Sequence, residues 1–345
     1  MITIHCGLHK TGSSSIQLAL SQLDQPRGVP IIVPTGGLDD STSTWASRFS
    51  SLRSNDGAVM SDENVLGSPL TGYSDAPERI AVLRRSLKGT DYRLVLYVRP
   101  QTDWLPSVYL QGVQEGRFID PGSFWSECSQ APFLRWTNLV ELLEREGGAV
   151  EVAVRAYAPR RDVVADFFAV AGLRLSRALA RATPRENVSI TASQAPLLAL
   201  VGDLPGVTVA EQKALRSVFQ SILRAGAAEG SSPFTSDIQT SISTTFHPDW
   251  EFLAQRAATQ PGADADAITA VLREWRTDPR PYAGNSIHDG PVQAEALRSI
   301  RVLAGALDTV HPTTARRVLN QVRRDPFGLP SATLRELRRR RRRPH

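Results

Sequence analysis

The spacing of apolar and polar positions changes along this chain, and the changes mark its elements. Ile2 to Cys6 is a short apolar run that predicts a strand. From Ser13 to Leu23 the apolar residues Ile16, Leu20 and Leu23 fall on one stripe, which predicts a helix. Val29–Val33 reads as a second strand, closed by Pro34 and the Gly36-Gly37 pair. Ala58–Ser61 reads as a third. Ala76–Leu87 has Ile80, Leu83 and Leu87 on one face, an amphipathic helix. In the strand Arg93–Val98, Leu94-Val95-Leu96-Tyr97-Val98 is apolar at every position, as burial on both faces requires. Helices follow at Thr102–Glu115 and Phe133–Glu146. A last strand at Val150–Val154 precedes a helix from Arg161 to Ala171 that Gly172 stops.

Strands alternating with helices predict an α/β fold, a central parallel sheet flanked by helices. From about Asn187 the strand signals fade. Helical stretches remain at Ala195–Val201, Val209–Ala225, Trp250–Gln255, Ala265–Trp275, Val292–Leu307 and Thr313–Val322, separated by turns such as Gly230-Ser231-Ser232-Pro233. The expected organisation is an α/β domain over 1–255, a mostly helical extension over 256–330, and an Arg-rich tail over 331–345. The tail has no apolar face and is expected to be disordered in isolation.

Composition narrows the class. The 41% hydrophobic and 22% charged content is that of a globular protein. No run approaches the roughly 20 apolar residues of a membrane span. The chain opens as a strand, which predicts no signal peptide and a cytoplasmic protein. Cys6 and Cys128 are far apart and form no metal-ligand pattern, so the expectation is buried free thiols and no metal. The net charge of +5 falls to −1 when the six arginines of Arg338–Arg343 are set aside. The basic character belongs to the tail, which argues against a nucleic-acid face on the fold. Only Lys10, Lys88 and Lys213 are lysines, so the placement of Lys10 in a Gly/Ser loop stands out.

That loop is the first candidate for chemistry. Phosphate binding needs close backbone approach, converging N–H groups and a cation, which a strand, a Gly-containing turn and a helix N-terminus can supply. Here Gly7 and Gly12 permit the turn, and Lys10 is the cation. Thr11, Ser13, Ser14 and Ser15 offer hydroxyls that can cap the helix or bond an anion. Lys10 precedes Gly12, whereas the nucleotide-hydrolase loop G-x-x-x-x-G-K-[ST] places Lys after its second glycine. The second candidate is Arg99, at the end of the best strand, with Ser107 eight positions later in the next helix. Arg presents a fixed fork of donors suited to phosphate. Ligands of open α/β sheets sit at the carboxyl ends of the strands, where both candidates fall.

The stretch His5-Cys6-Gly7-Leu8-His9-Lys10-Thr11-Gly12-Ser13-Ser14-Ser15-Ile16-Gln17 resembles the 5′-phosphosulfate loop of sulfotransferases that use 3′-phosphoadenosine 5′-phosphosulfate (PAPS), in particular the bacterial carbohydrate-sulfotransferase type. It departs in carrying Ser13-Ser14 where that family more often has two threonines. Arg99-Pro100, Trp104-Leu105, Ser107-Val108-Tyr109 and Gln111 resemble the family's second segment, whose Arg and Ser grip the donor's 3′-phosphate. Weaker likeness runs through Val154–Tyr157, Asp166-Phe167, Gly172-Leu173 and Asn187-Val188-Ser189, and ends near Phe252. The resemblance implies a P-loop NTPase-like three-layer sandwich. It implies a PAPS-dependent enzyme that transfers a sulfuryl group to a hydroxyl or amine of a carbohydrate or small molecule, with no metal required. Lys10, Thr11, Gly12, Ser13, Ser14, Ser15, Arg99 and Ser107 would hold the donor.

An acceptor must lose a proton as it attacks. Glu63, after the third strand, is the family-like base. The residue before it is Asp62, where the family more often has Ser, so which carboxylate points inward is open. His9 is the competing base; His5 reads as a strand residue that packs or caps. Trp45, Tyr73, Trp125 and Trp136 could stack on a sugar or pack in the core. Thr35–Asn55 and Gly67–Asp75 read as loops that would set specificity. The arginine tail could meet an acidic partner or stay solvated. Two other readings are an atypical P-loop kinase, which the position of Lys10 disfavours, and a non-catalytic binding protein on the same fold.

Overall fold

A computed structural model describes residues 1–23, 31–33, 41–55, 57–115, 117, 120–157, 161–176, 192, 195, 232–259 and 265–273. Five parallel strands form one sheet: β1 (Ile2–Cys6), β2 (Ile31–Ile32), β3 (Val59–Asp62), β4 (Tyr92–Val98) and β5 (Glu151–Ala156). Their order is β2-β3-β1-β4-β5. Thr3 of β1 lies opposite Val59 on one side and Arg93 on the other. The helices are α1 (Ser13–Ser21), α2 (Thr42–Leu52), α3 (Ala76–Ser86), α4 (Gln101–Gln114), α5 (Pro121–Gln130), α6 (Trp136–Glu146), α7 (Val163–Val170), α8 (Ser236–Thr259) and α9 (Ala265–Arg273).

Period-two alternation decides which strand residues meet which layer. Val95 and Tyr97 of β4 join Val59 of β3 in a cluster with Ile16, Ala19 and Leu20 of α1 and Val163, Val164, Phe167 and Phe168 of α7. Leu94 points the other way, toward Gly147 at the end of α6. On that side α2 packs on α3, and α3 on α6. Each buried Leu, Ile or Phe of these layers contributes about 1.5–3 kcal/mol.

Right-handed crossovers explain the two layers. The connection from β1 to β2 runs one way across the sheet, and those from β3 through β4 to β5 run the other. α1 therefore leaves β1 on one face, while α3 and α6 lie on the opposite face. The reversal falls at β1 and β4, the crevice where open α/β sheets bind ligands. The loops after β1, β3 and β4 all open at that edge.

Several elements were not visible in the residue pattern. α2 lies in what read as a loop between Thr35 and Asn55. Ser41 caps it by accepting from the Thr44 N–H at 3.3 Å, and Trp45, Phe49 and Leu52 form its buried stripe. α5 is a further helix. β5 runs to Ala156, two residues past the apolar run, because Tyr97 and Val98 of β4 pair with Arg155 and Ala156. α8 begins fourteen residues before the expected Trp250 and carries Pro248 inside it. The stretches 196–201, 209–225, 292–307, 313–322 and the arginine run lie outside the described residues.

The chain divides into two units, and the first takes Met1–Val108, Ser126–Asn187 and Ile242–Thr277. It contains the sheet, and residue 255 falls inside α8. The described part of the second unit holds a small aromatic cluster of Tyr109, Phe124 and Phe234, with ring centroids 5.4–6.1 Å apart. Among the described residues no helix is long and apolar enough to cross a membrane.

Candidate functional site

β1 ends at Cys6, and the chain turns through Gly7–Gly12 into α1. The turn is too tight for side chains at two positions. A Cβ on Gly7 would collide with the Ser13 hydroxyl, and one on Gly12, at φ +86°, would stand 2.8 Å from Val163 Cγ1. Lys10 is also left-handed, with φ 64°. A residue bearing a Cβ pays on the order of 1–3 kcal/mol for such a conformation, so the surroundings must hold it there. They do so through its neighbour: the His9 carbonyl accepts from Trp104 Nε1 at 2.7 Å, and the His9 N–H donates to the Tyr73 hydroxyl at 3.4 Å. Tyr73 is itself left-handed, φ 56°, and its ring stacks on Trp104.

The loop hydroxyls divide into two pairs. Thr11 Oγ1 and Ser13 Oγ are buried, and both donate to the Leu8 carbonyl, at 2.6 and 3.2 Å. They staple the turn. Ser14 and Ser15 are partly open. Among the described residues no side chain caps α1. The Gly12 carbonyl accepts from the N–H groups of Ser15 and Ile16, whereas those of Gly12, Ser13 and Ser14 meet no acceptor among the described residues. First-turn N–H groups carry the positive end of the helix dipole, and Lys10 adds a cation two residues before them.

Arg99 follows β4 directly. Its Nη1 donates to the Lys10 carbonyl at 3.3 Å and to Ser107 Oγ at 3.4 Å. Ser107 Oγ in turn donates to the Asp103 carbonyl at 3.2 Å, one turn back in α4. The guanidinium carbon lies 5.7 Å from the ring centre of Tyr157, and the same ring borders Gly12. Sequence separation of 89 residues between Lys10 and Arg99 thus collapses to one hydrogen bond across neighbouring strands.

The two carboxylates at the end of β3, Asp62 and Glu63, have separate tasks. Asp62 is buried; its Oδ2 pairs with Arg48 Nη1 at 3.3 Å, and its Oδ1 accepts from the Asn64 N–H at 2.8 Å. Burial raises its pKa, against the Asn64 hydrogen bonds and the charges of Arg48 and Arg79. It fixes the turn. Glu63 faces α1, where its Oε2 accepts from Gln17 Nε2 at 3.4 Å. Burial pushes its carboxyl up from the ordinary value, and the Asp62 charge adds to the rise; the Gln17 hydrogen bond and the Lys10 charge oppose it. The inward carboxylate beside Lys10 is Glu63.

Of the two histidines near the loop, His5 is buried and His9 is partly buried. His5 Nδ1 pairs with Ser61 Oγ at 2.8 Å across β1 and β3, and its ring meets Tyr97 and Phe167. Burial lowers its pKa to about 3. His9 is lowered to about 4, by burial and then by the Lys10 charge. That makes it a weaker base than a free imidazole.

Lys10, Glu63, His9, Arg99, Ser107, Ser14 and Ser15 therefore meet at one sheet edge. Trp45, Tyr73 and Trp136 are core residues, each 1% exposed or less, which leaves no face for a sugar. Gln17, Tyr157 and Trp104 entered the residue reading only as members of family-like segments, and Trp136 only as a possible platform for a sugar; none was given a part in shaping the loops. Gln17 lies one turn after Ser13 and so shares its helix face, which is a legible signal; the tryptophans offered none beyond being apolar. Among the described residues no cluster of three His, Cys, Asp or Glu side chains could hold a metal ion. No family model, curated protein or solved structure matches this chain.

Proposed function

We propose that this protein is a PAPS-dependent sulfotransferase acting on a hydroxyl or amine of a carbohydrate or another small acceptor. The observation that carries the reading is the junction of two phosphate-suited segments: Arg99, already in reach of Ser107, hydrogen-bonds the backbone of Lys10. One segment suits a 5′-phosphosulfate and the other a 3′-phosphate, as expected of a donor phosphorylated on both sides of its ribose.

The residues fit such a donor. First-turn N–H groups with no acceptor among the described residues, partly open Ser14 and Ser15, and Lys10 would hold the phosphosulfate; Arg99 and Ser107 would hold the second phosphate. Gly7 and Gly12 let the turn pack closely on Ser13 and Val163, which a Cβ at either position would prevent. The donor supplies the sulfuryl group, which passes to the acceptor oxygen or nitrogen while adenosine 3′,5′-bisphosphate leaves. Lys10 and the N–H groups would stabilise the negative charge that grows on the leaving phosphate oxygen. Glu63, whose raised pKa makes it a better base than an ordinary carboxylate, would take the acceptor's proton. His9, with its lowered pKa, is the weaker candidate for that role.

Labelled sulfate transfer from PAPS to a panel of sugars, phenols and amines tests the reading. Transfer to any one of them, lost in Lys10→Ala, is expected. Absence of transfer across the panel together with absence of bisphosphate binding would overturn it.

A further inference from the structure

The two loops are held by a frame that neither loop contains. Trp104 Nε1 donates to the His9 carbonyl at 2.7 Å, and Trp136 Nε1 donates to the Arg99 carbonyl at 2.9 Å. The two indoles touch edge to face, with centroids 5.1 Å apart and planes at 80°. Both are fully buried. Each candidate anion-binding segment thus offers one backbone carbonyl to one of two interlocked rings.

What holds Trp136 comes from far along the chain. Asp249, in α8, is 2% exposed. Its Oδ2 accepts from the Trp136 N–H and from Gln101 Nε2, both at 3.0 Å, and its Oδ1 accepts from Thr137 Oγ1 at 2.9 Å. Arg135, at the N-cap of α6, offers that helix no side-chain cap, so Asp249 caps α6 from another helix. Gln101 is the first residue of α4, two after Arg99. Its Oε1 accepts from Trp250 Nε1 at 3.0 Å, and its Nε2 also reaches the Leu134 carbonyl at 3.2 Å. One carboxylate therefore ties the residues on both sides of the Arg99-Pro100 corner.

A buried carboxylate is an expensive way to pin a core, because ionisation there is penalised. Burial raises the pKa of Asp249, although the Thr137 and Trp136 hydrogen bonds and Arg135 pull it back. An apolar side chain would pack as well, yet it could not accept from Trp136 and Gln101 together. The acceptor geometry is what the position requires.

We propose that Asp249 is a positioning residue of the anion site, setting Arg99 through Trp136 and Gln101 and, through the paired indoles, the Lys10 loop. This rests on the donor-binding reading above. It makes α8 part of the working site, although α8 contributes no group to it directly.

Three variants test this in the full chain, with adenosine 3′,5′-bisphosphate as the probe. Asp249→Ala removes the shared acceptor and is expected to weaken binding roughly tenfold, the size of one misplaced charge-assisted hydrogen bond. Asp249→Asn keeps an oxygen in the Oδ2 place for Trp136 and Gln101, and the Thr137 hydroxyl can turn to accept from the amide nitrogen, although the Thr137 N–H bond to the carboxylate is weakened; binding should fall less than in Asp249→Ala, to about threefold below wild type. Ala257→Gly lowers the stability of the same helix without touching the relay, and should leave affinity unchanged while Tm falls. A folded Asp249→Ala protein with wild-type affinity overturns the proposal, as does an equal loss of affinity in Ala257→Gly. If Asp249→Ala does not fold, Gln101→Leu and Trp136→Phe cut the relay at its next members, and wild-type affinity in both overturns it. The indole N–H resonance of Trp136, followed by NMR in Asp249→Ala or else in Gln101→Leu, separates the two readings. If wild type binds no bisphosphate, the donor reading fails, and an unmoved resonance then removes the relay as well.

Discussion

Lys10 combines three features that rarely coincide: it is one of three lysines, it is left-handed, and it borders a carboxylate with a raised pKa. Replacing it with Ala removes the cation and keeps the turn, so transfer is expected to fall on the order of 10²–10³-fold, the scale of one lost transition-state donor, with unchanged Tm. Measured turnover and melting curves decide this. Arg99→Ala should act on affinity instead. Loss of one charge-assisted partner is worth about 2 kcal/mol, or roughly thirtyfold in bisphosphate Kd by calorimetry. For Glu63 the sign follows from its raised pKa: the basic form accumulates only above the ordinary carboxylate value of 4.5. The acid limb of the transfer rate should therefore lie above that pH. Glu63→Gln should abolish the limb along with most of the rate.

The strand β1, the turn and α1 act as one element, and its stability carries its own pH dependence. His5 and His9 stay neutral in the folded chain down to about 3 and about 4, whereas each takes a proton near 6.5 when unfolded. Between those values the unfolded chain binds more protons, so stability is full above 6.5 and falls as the pH drops below it. His5→Asn, whose amide can donate to or accept from Ser61, should flatten that fall in urea titrations between pH 7 and 4. Gly12→Ala should destabilise by about 1–3 kcal/mol, because it adds strain at positive φ and a clash with Val163. The elements of the sheet were legible because their signals are local. Leu94–Val98 is apolar at every position, and Gly172 ends α7 where a stop was expected. α2 was not legible: its apolar residues sit in a Ser/Thr-rich run that favours turns, and only packing on α3 rewards the helix. The loop's division of labour was also hidden, since nothing in Thr11-Gly12-Ser13-Ser14 tells which hydroxyls face Leu8.

At the scale of the molecule, the strand order explains why distant residues share a site. With β1 between β3 and β4, the three loops carrying Lys10, Glu63 and Arg99 open side by side. Spacing along the chain gave the order of these residues but not their contacts, because strand order is set by crossovers that leave no residue signature. The role of α8 was still less visible. A single Asp more than a hundred residues from its partners has no pattern to read.

Whether the Lys10 and Arg99 loops hold two phosphates of one nucleotide is decided by calorimetric titration. Wild-type protein would be titrated with adenosine 3′,5′-bisphosphate and with ATP, each with and without magnesium. Expected are micromolar binding of the bisphosphate that does not depend on magnesium, weak binding of ATP, and roughly thirtyfold weaker bisphosphate binding in Arg99→Ala. Magnesium-dependent binding of ATP in preference to the bisphosphate would contradict the two-phosphate site.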